Sequence, residues 1–163
     1  MKPRRWHADT FAPRVNAIAI ADLLADGISG AIIDLDNTLV GYRLLEPADP
    51  EAAWIKAAEQ AGLKVVMVTN NATPWAIAVA KKLGIPCVPN ARKPLPHGFR
   101  RALTVLDLPR ERVVVIGDQF FTDVLGAKLL GIRVILVPPL GGRDPWNTRP
   151  LRLLARLFRL EQS

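Results

Sequence analysis

Ala31-Ile32-Ile33-Asp34-Leu35-Asp36-Asn37-Thr38 passes from three consecutive apolar residues into two carboxylates two positions apart. A continuous apolar run fits a strand covered on both faces, the setting of a parallel sheet. While the chain stays extended, side chains two apart point the same way, so Asp34 and Asp36 share a direction. Three later runs repeat the apolar half of the pattern: Val65-Val66-Met67-Val68, Val113-Val114-Val115-Ile116 and Val134-Ile135-Leu136-Val137.

Helix signals lie between these runs. Asp49 followed by Pro50 predicts a capped start, with an end near Gly62. Thr73 with Pro74 predicts a second start, stopped by Gly84 and Pro86. Pro96 opens a third helix to about Leu106, and a fourth is expected over 119–130, stopped by Gly131. An earlier helix over 15–25 is expected on one sheet face. The Gly- and Pro-rich stretch 138–149 leads to a final helix over 150–161. This alternation predicts an α/β, Rossmann-like doubly wound parallel sheet. A chain of 163 residues forms one domain, 1–163, its catalytic core spanning about 28–139.

The formal net charge of +7 invites a polyanion-binding reading. Its distribution argues otherwise. Residues 1–15 carry Lys2, Arg4, Arg5 and Arg14 against Asp9. Residues 141–163 carry five arginines against Asp144 and Glu161. The body between is nearly neutral, which does not suit a nucleic-acid-binding stripe, and no nucleic-acid partner is expected. A single cysteine, Cys87, excludes an intramolecular disulfide and a cysteine-only metal site. The most apolar stretch, 15–35, is interrupted by Asn16, Asp22, Asp26, Ser29 and Asp34, unlike a membrane span. The expectation is a cytoplasmic protein, with at most peripheral contact with an anionic membrane at the inner face.

Open α/β sheets bind ligands beyond the carboxyl ends of their strands. There the sequence sets Asp34 and Asp36, Thr69-Asn70-Asn71, and Gly117-Asp118 with Asp123 five residues on; Lys93 follows a helix in Ala91-Arg92-Lys93-Pro94. Alone, each piece also reads as a turn, a cap or a solvated lysine. Together they describe a chemistry. Carboxylates converging on a cleft repel unless a cation joins them. Oxygen donors without an imidazole or thiolate cluster favour Mg²⁺ over zinc. A hydroxyl and an ammonium are donors for phosphoryl oxygens. A carboxylate nucleophile beside Mg²⁺, with a second carboxyl for proton transfer, describes hydrolysis through an aspartyl-phosphate.

Asp34-Leu35-Asp36-Asn37-Thr38-Leu39-Val40, Thr69-Asn70-Asn71, Lys93-Pro94 and Gly117-Asp118-Gln119-Phe120-Phe121-Thr122-Asp123 resemble the four ordered motifs of the haloacid dehalogenase (HAD) superfamily. Ala91-Arg92-Lys93-Pro94 and Gly-Asp-Gln-x-x-Thr-Asp resemble its subfamily IIIA phosphatases of the YqeG type, related to mitochondrial phosphatidylglycerophosphate phosphatase. The likeness is strong over 31–139. A response-regulator receiver also joins acids, a Thr and a Lys, but in another order along the chain.

The resemblance implies roles. Asp34 would be the nucleophile. Asp36 would protonate the leaving oxygen and then activate water. Asp34, the Asp36 carbonyl and Asp118 would hold Mg²⁺, with Asp123 acting beside them through water. Thr69 and the Asn70 backbone would hold the phosphoryl group, and Lys93 would neutralise charge. Asn71, Arg92 and Gln119 flank the motifs as candidate substrate contacts. Position 37 is Asn where many superfamily members have Gly. Neither site of cap insertion in the superfamily has room for a cap here, so an open site and a bulky substrate are expected.

On a helical wheel Arg152, Arg156 and Arg159 fall within about 60° of one another, an arrangement suited to an anionic surface or to packing against the domain. The expected activity is hydrolysis of a phosphomonoester, with phosphatidylglycerophosphate the leading substrate. The rivals are a soluble nucleotide or sugar phosphate, and an idle scaffold that binds a membrane, RNA or a protein.

Overall fold

The computed structural model describes residues 6–41 and 44–140. Its elements in chain order are β1 (Thr10–Phe11), α1 (Ile20–Ala25), β2 (Gly30–Ile33), α2 (Asp49–Gln60), β3 (Lys64–Val68), α3 (Pro74–Leu83), β4 (Cys87–Val88), α4 (Pro96–Leu106), β5 (Val113–Gly117), α5 (Leu125–Leu129) and β6 (Arg133–Leu136). The four apolar runs are β2, β3, β5 and β6. The strands form one sheet in the order β1-β6-β5-β2-β3-β4, and every pairing is parallel.

Alternation along each strand sorts side chains between two cores. Ala31, Ile33, Val65, Met67, Val114 and Ile116 pack with Leu23 of α1, Trp54 and Ile55 of α2, and Ala76 and Val79 of α3. Ile32, Val66, Val68, Val113 and Val115 face Phe99 and Ala102 of α4 and Ala127 of α5. Burial on both faces is why these strands read as continuous apolar runs. Register then sets the site. Ile33 stands opposite both Met67 and Ile116, so the chains following β2, β3 and β5 emerge at one sheet end.

Local details differ from the sequence expectation. The helix expected over 15–25 is a 3-10 turn, Val15–Ala17, then extended backbone at Ile18 and Ala19, then α1. The break lets Ile18 offer its carbonyl to the Trp54 indole N–H at 2.8 Å. Asp49 does not cap α2: it is the first helical residue, behind Ala48, with no side-chain cap bond. The expected helix over 119–130 shortens to α5, preceded by a π-helical turn, Phe120–Val124. Strands β1 and β4 were not anticipated, because two residues are too few for a pattern to register. Cys87, on edge strand β4, is partly buried and packs against the first of the two cores.

The basic N-terminal arm is partly anchored. Arg14 grips the fully buried Glu51 of α2 through Nε and Nη2, both at 3.0 Å. Asp9 accepts from the backbone N–H of Val134 at 2.7 Å and from Lys128. Lys2, Arg4, Arg5 and the expected C-terminal helix with Arg152, Arg156 and Arg159 lie outside the described residues. Between β2 and β3 the chain inserts one helix, α2, and between β3 and α4 it inserts α3 and β4, with no cap domain among the described residues. Among those residues no helix is long and apolar enough to cross a membrane.

Candidate active site

The chain after β2 turns at once. Thr38, Leu39 and Val40 return backbone N–H groups to the carbonyl of Leu35, and Asn37 donates to Val40. Asn37 holds φ at +62°, in the left-handed region. Glycine adopts that conformation freely, and asparagine is the side-chain-bearing residue most at home there, so Asn fits this position.

The turn leaves Asp34 buried over the sheet end. Lys93 Nζ lies 2.5 Å from Asp34 Oδ1 and 2.6 Å from Asp123 Oδ1, with all three side chains buried. One oxygen each of Asp34, Asp118 and Asp123 lies within 4.8 Å of the others. Asp36 is outside this trio; its carboxylate accepts from Thr69 Oγ1 at 3.3 Å. Thr69 in turn receives the Asn71 backbone N–H at 3.0 Å.

Lys93 reaches the site from a loop braced by Asn70. The Asn70 side chain accepts the Lys93 N–H at 2.7 Å and donates to the Lys93 carbonyl at 3.1 Å. Its backbone N–H makes no hydrogen bond among the described residues. The start of α4 is pressed close: a β-carbon on Gly98 would meet the Ala91 carbonyl oxygen at 2.7 Å. Asn71 spends its amide oxygen on the Thr73 N–H and hydroxyl, at 2.9 and 2.6 Å. Gln119 accepts from Thr122 at 3.1 Å through its side chain and donates its backbone N–H to Asp123 Oδ2, also at 3.1 Å. Arg92 is exposed, with φ at +55°.

Sequence reading gave no separate role to Thr38. Its buried hydroxyl lies 3.1 Å from Asp118 Oδ1 and 3.5 Å from Asp34 Oδ2, linking the ends of β2 and β5. Its place in the motif was visible, but its partner stands 80 positions away.

Electrostatics reflect the crowding. Burial, reinforced by the Asp34 and Asp123 charges, pushes the Asp118 carboxyl up to about 8. Burial also raises Asp123, to about 6, although Lys93 draws it back; a single ammonium is shared between two carboxylates. Burial alone would lower Lys93, but Asp123 and Asp34 more than reverse that, and it stands above an ordinary lysine. The trio offers only hard oxygen donors, a set suited to Mg²⁺, and a cation among them would relieve the repulsion that raises Asp118.

Acids, a buried ammonium and hydroxyls gathered at the carboxyl ends of a parallel sheet define a hydrolytic site for an anionic group. The family model of haloacid dehalogenase-like hydrolases matches residues 19–131. The Bacillus subtilis protein named Probable phosphatase YqeG is 36% identical over 148 residues, covering 91% of this chain and 86% of that one. Phosphatidylglycerophosphate phosphatase 1, chloroplastic, of Chlamydomonas reinhardtii is 26% identical over 138 residues, 79% of this chain and 51% of its own length. A crystal structure of an uncharacterized Listeria monocytogenes protein matches the fold with a TM-score of 0.58 at 21% identity, over 78% of this chain and 98% of that one. The chain belongs to the haloacid dehalogenase-like hydrolase family, and it is a phosphatase.

Proposed function

We propose that the protein hydrolyses a phosphomonoester through an aspartyl-phosphate on Asp34, with Mg²⁺ as cofactor and a phosphatidylglycerophosphate-like lipid as substrate. The observation that carries the mechanism is the division of the carboxylates. Asp34 is held by Lys93 within the buried acidic trio, while Asp36 stands outside it, hydrogen-bonded to Thr69. One carboxylate is thereby placed against an ammonium, as a nucleophile, and the other stands apart from the ion pair, placed for proton transfer.

In the first step an Asp34 oxygen bonds to phosphorus as the bond from phosphorus to the alcohol oxygen breaks. Asp36 gives its proton to that oxygen. In the second step Asp36 takes a proton from water as the water attacks phosphorus. The bond to Asp34 then breaks, releasing inorganic phosphate and restoring the carboxylate. Lys93 offsets negative charge on Asp34 and the phosphoryl group, and Thr69 Oγ1 with the Asn70 N–H donate to phosphoryl oxygens. Asp34, Asp118 and the Asp36 carbonyl would hold Mg²⁺, which supplies positive charge to the phosphoryl oxygens. Asp123 orients Lys93 and Gln119 around this group. Asn71, Arg92 and Gln119 border the phosphate position.

Support for a lipid comes from a site without a cap among the described residues, from the exposed Leu44 and Leu45 near it, and from the likeness to the Chlamydomonas reinhardtii phosphatase. The purified protein is tested with Mg²⁺ or with chelator, on phosphatidylglycerophosphate in mixed micelles against nucleotide and sugar phosphates. Mg²⁺-dependent phosphate release that is lost in Asp34→Asn and prefers the lipid is expected. Equal activity in Asp34→Asn removes the nucleophile, and no lipid preference removes the substrate class.

A further inference from the structure

Asp36 lines a second feature, a pocket of about 200 Å³ whose wall also includes Asn37, Gly41, Leu44, Leu45 and Trp75. The pocket changes character along its length. Asp36 is partly buried and Asn37 buried, whereas Leu44 and Leu45 are 59% and 74% exposed. The outer wall is also fixed in place. The Trp75 indole N–H donates to the Leu45 carbonyl at 2.8 Å, and Leu44 N–H donates to the Gly41 carbonyl at 3.0 Å. Two exposed leucines, their backbone held by hydrogen bonds, stand beside a half-buried tryptophan and form an apolar surface open to solvent.

We infer that this pocket receives the alcohol portion of the substrate and selects one that carries hydrocarbon beyond a short polar stem. The inference rests on the proposed mechanism: the group that protonates the leaving oxygen must touch it, so the rest of the alcohol extends along the wall that Asp36 shares. Its stem passes Asp36 and Asn37, and its hydrocarbon lies on Leu44, Leu45 and Trp75. Leu44, Leu45 and Trp75 are specificity-determining residues and take no part in the bond changes.

The test uses the full chain with Mg²⁺ and a series of n-alkyl phosphates from methyl to hexyl. Past the first carbons, kcat/KM is expected to rise roughly two- to fourfold per methylene, the gain for burying a methylene partly or fully. The double variant Leu44→Ser/Leu45→Ser flattens the series. Trp75→Phe, which keeps the ring but frees Leu45, reduces the slope less. Ile77→Ser, at another exposed apolar residue, in α3 and outside the pocket, keeps it. Because the readout is a slope, a general loss of folded enzyme does not imitate the result. A flat series with Asp34-dependent hydrolysis intact overturns this inference alone, as does a slope that survives in the double variant. Absence of Asp34-dependent hydrolysis of every ester overturns the proposed mechanism and this inference with it.

Discussion

Asp123 Oδ2 occupies the space that a side chain at Gly117 would need. A β-carbon added to Gly117 would overlap the carboxyl group and β-carbon of Asp123. The last residue of β5 is therefore a glycine because the carboxylate six positions on folds back across it. The same oxygen takes the Gln119 N–H at 3.1 Å, which holds the π-helical turn, and the other oxygen takes Lys93. Gly117→Ala is expected to displace Asp123, and Lys93 with it. Overpacking costs about 1–3 kcal/mol of stability. A misplacement near 1 Å costs about 100-fold in turnover. Urea unfolding and phosphate release measure the two; a variant with normal turnover would show that Asp123 need not stay where it is.

Among the described residues Lys93 supplies the only ammonium to two buried carboxylates. Lys93→Met leaves both without it, and breaking a buried pair from one side costs about 3–5 kcal/mol. Turnover is expected to fall by about 100- to 1,000-fold, the usual consequence of losing one charge-stabilising donor. Adding Mg²⁺ restores part of the melting temperature but not the rate. Recovery of the rate with the metal would reduce Lys93 to a structural counter-charge.

The fold was legible because β2, β3, β5 and β6 are covered on both faces and so carry apolar residues without interruption. Asp34, Thr69 and Asp118 were legible because they directly follow such runs. What escaped notice depends on partners distant in sequence. Nothing near Asn70 says that its amide clasps the backbone of Lys93, 23 positions later. Nothing near Gly117 says that Asp123 lies over it. The helix pattern over 119–130 was real, but a carboxylate that captures a backbone N–H at its start outweighs helix propensity there. Leu44 and Leu45 carry no periodic signal, since they lie outside any helix or strand, ahead of α2.

Thr38 offers a sharper test of the link between β2 and β5. Its hydroxyl lies within 3.1 Å of Asp118 and 3.5 Å of Asp34. Thr38→Val keeps the volume and removes the hydroxyl, at a cost of about 1–3 kcal/mol for the acceptor left unpaired. The Mg²⁺ concentration for half-maximal activity is expected to rise about tenfold, because two of the residues proposed to hold it lose their common anchor. Thr38→Ser restores the hydroxyl and most of the affinity. An unchanged Mg²⁺ requirement in Thr38→Val would assign the hydroxyl to folding alone.

Asp118 makes the stability of the metal-free protein depend on pH in an unusual direction. Its folded value, about 8, lies above the ordinary 3.8, chiefly through burial and then through the Asp34 and Asp123 charges. Between these values the folded chain keeps a proton that the unfolded chain has released. The folded state binds more protons, so stability falls as pH rises. The contribution is complete below about 4 and gone above about 8. Metal-free protein is therefore expected to melt at progressively lower temperature from pH 5 to pH 8. Mg²⁺ competes with that proton, so its stabilisation should be larger at pH 8 than at pH 5.5. Asp118→Asn flattens the metal-free slope and removes much of the Mg²⁺ effect. Melting curves across pH, with chelator and with Mg²⁺, decide the matter. A metal-free protein that gains stability over this interval would mean that Asp118 is ionised throughout and that Lys93 suffices to offset the three carboxylates.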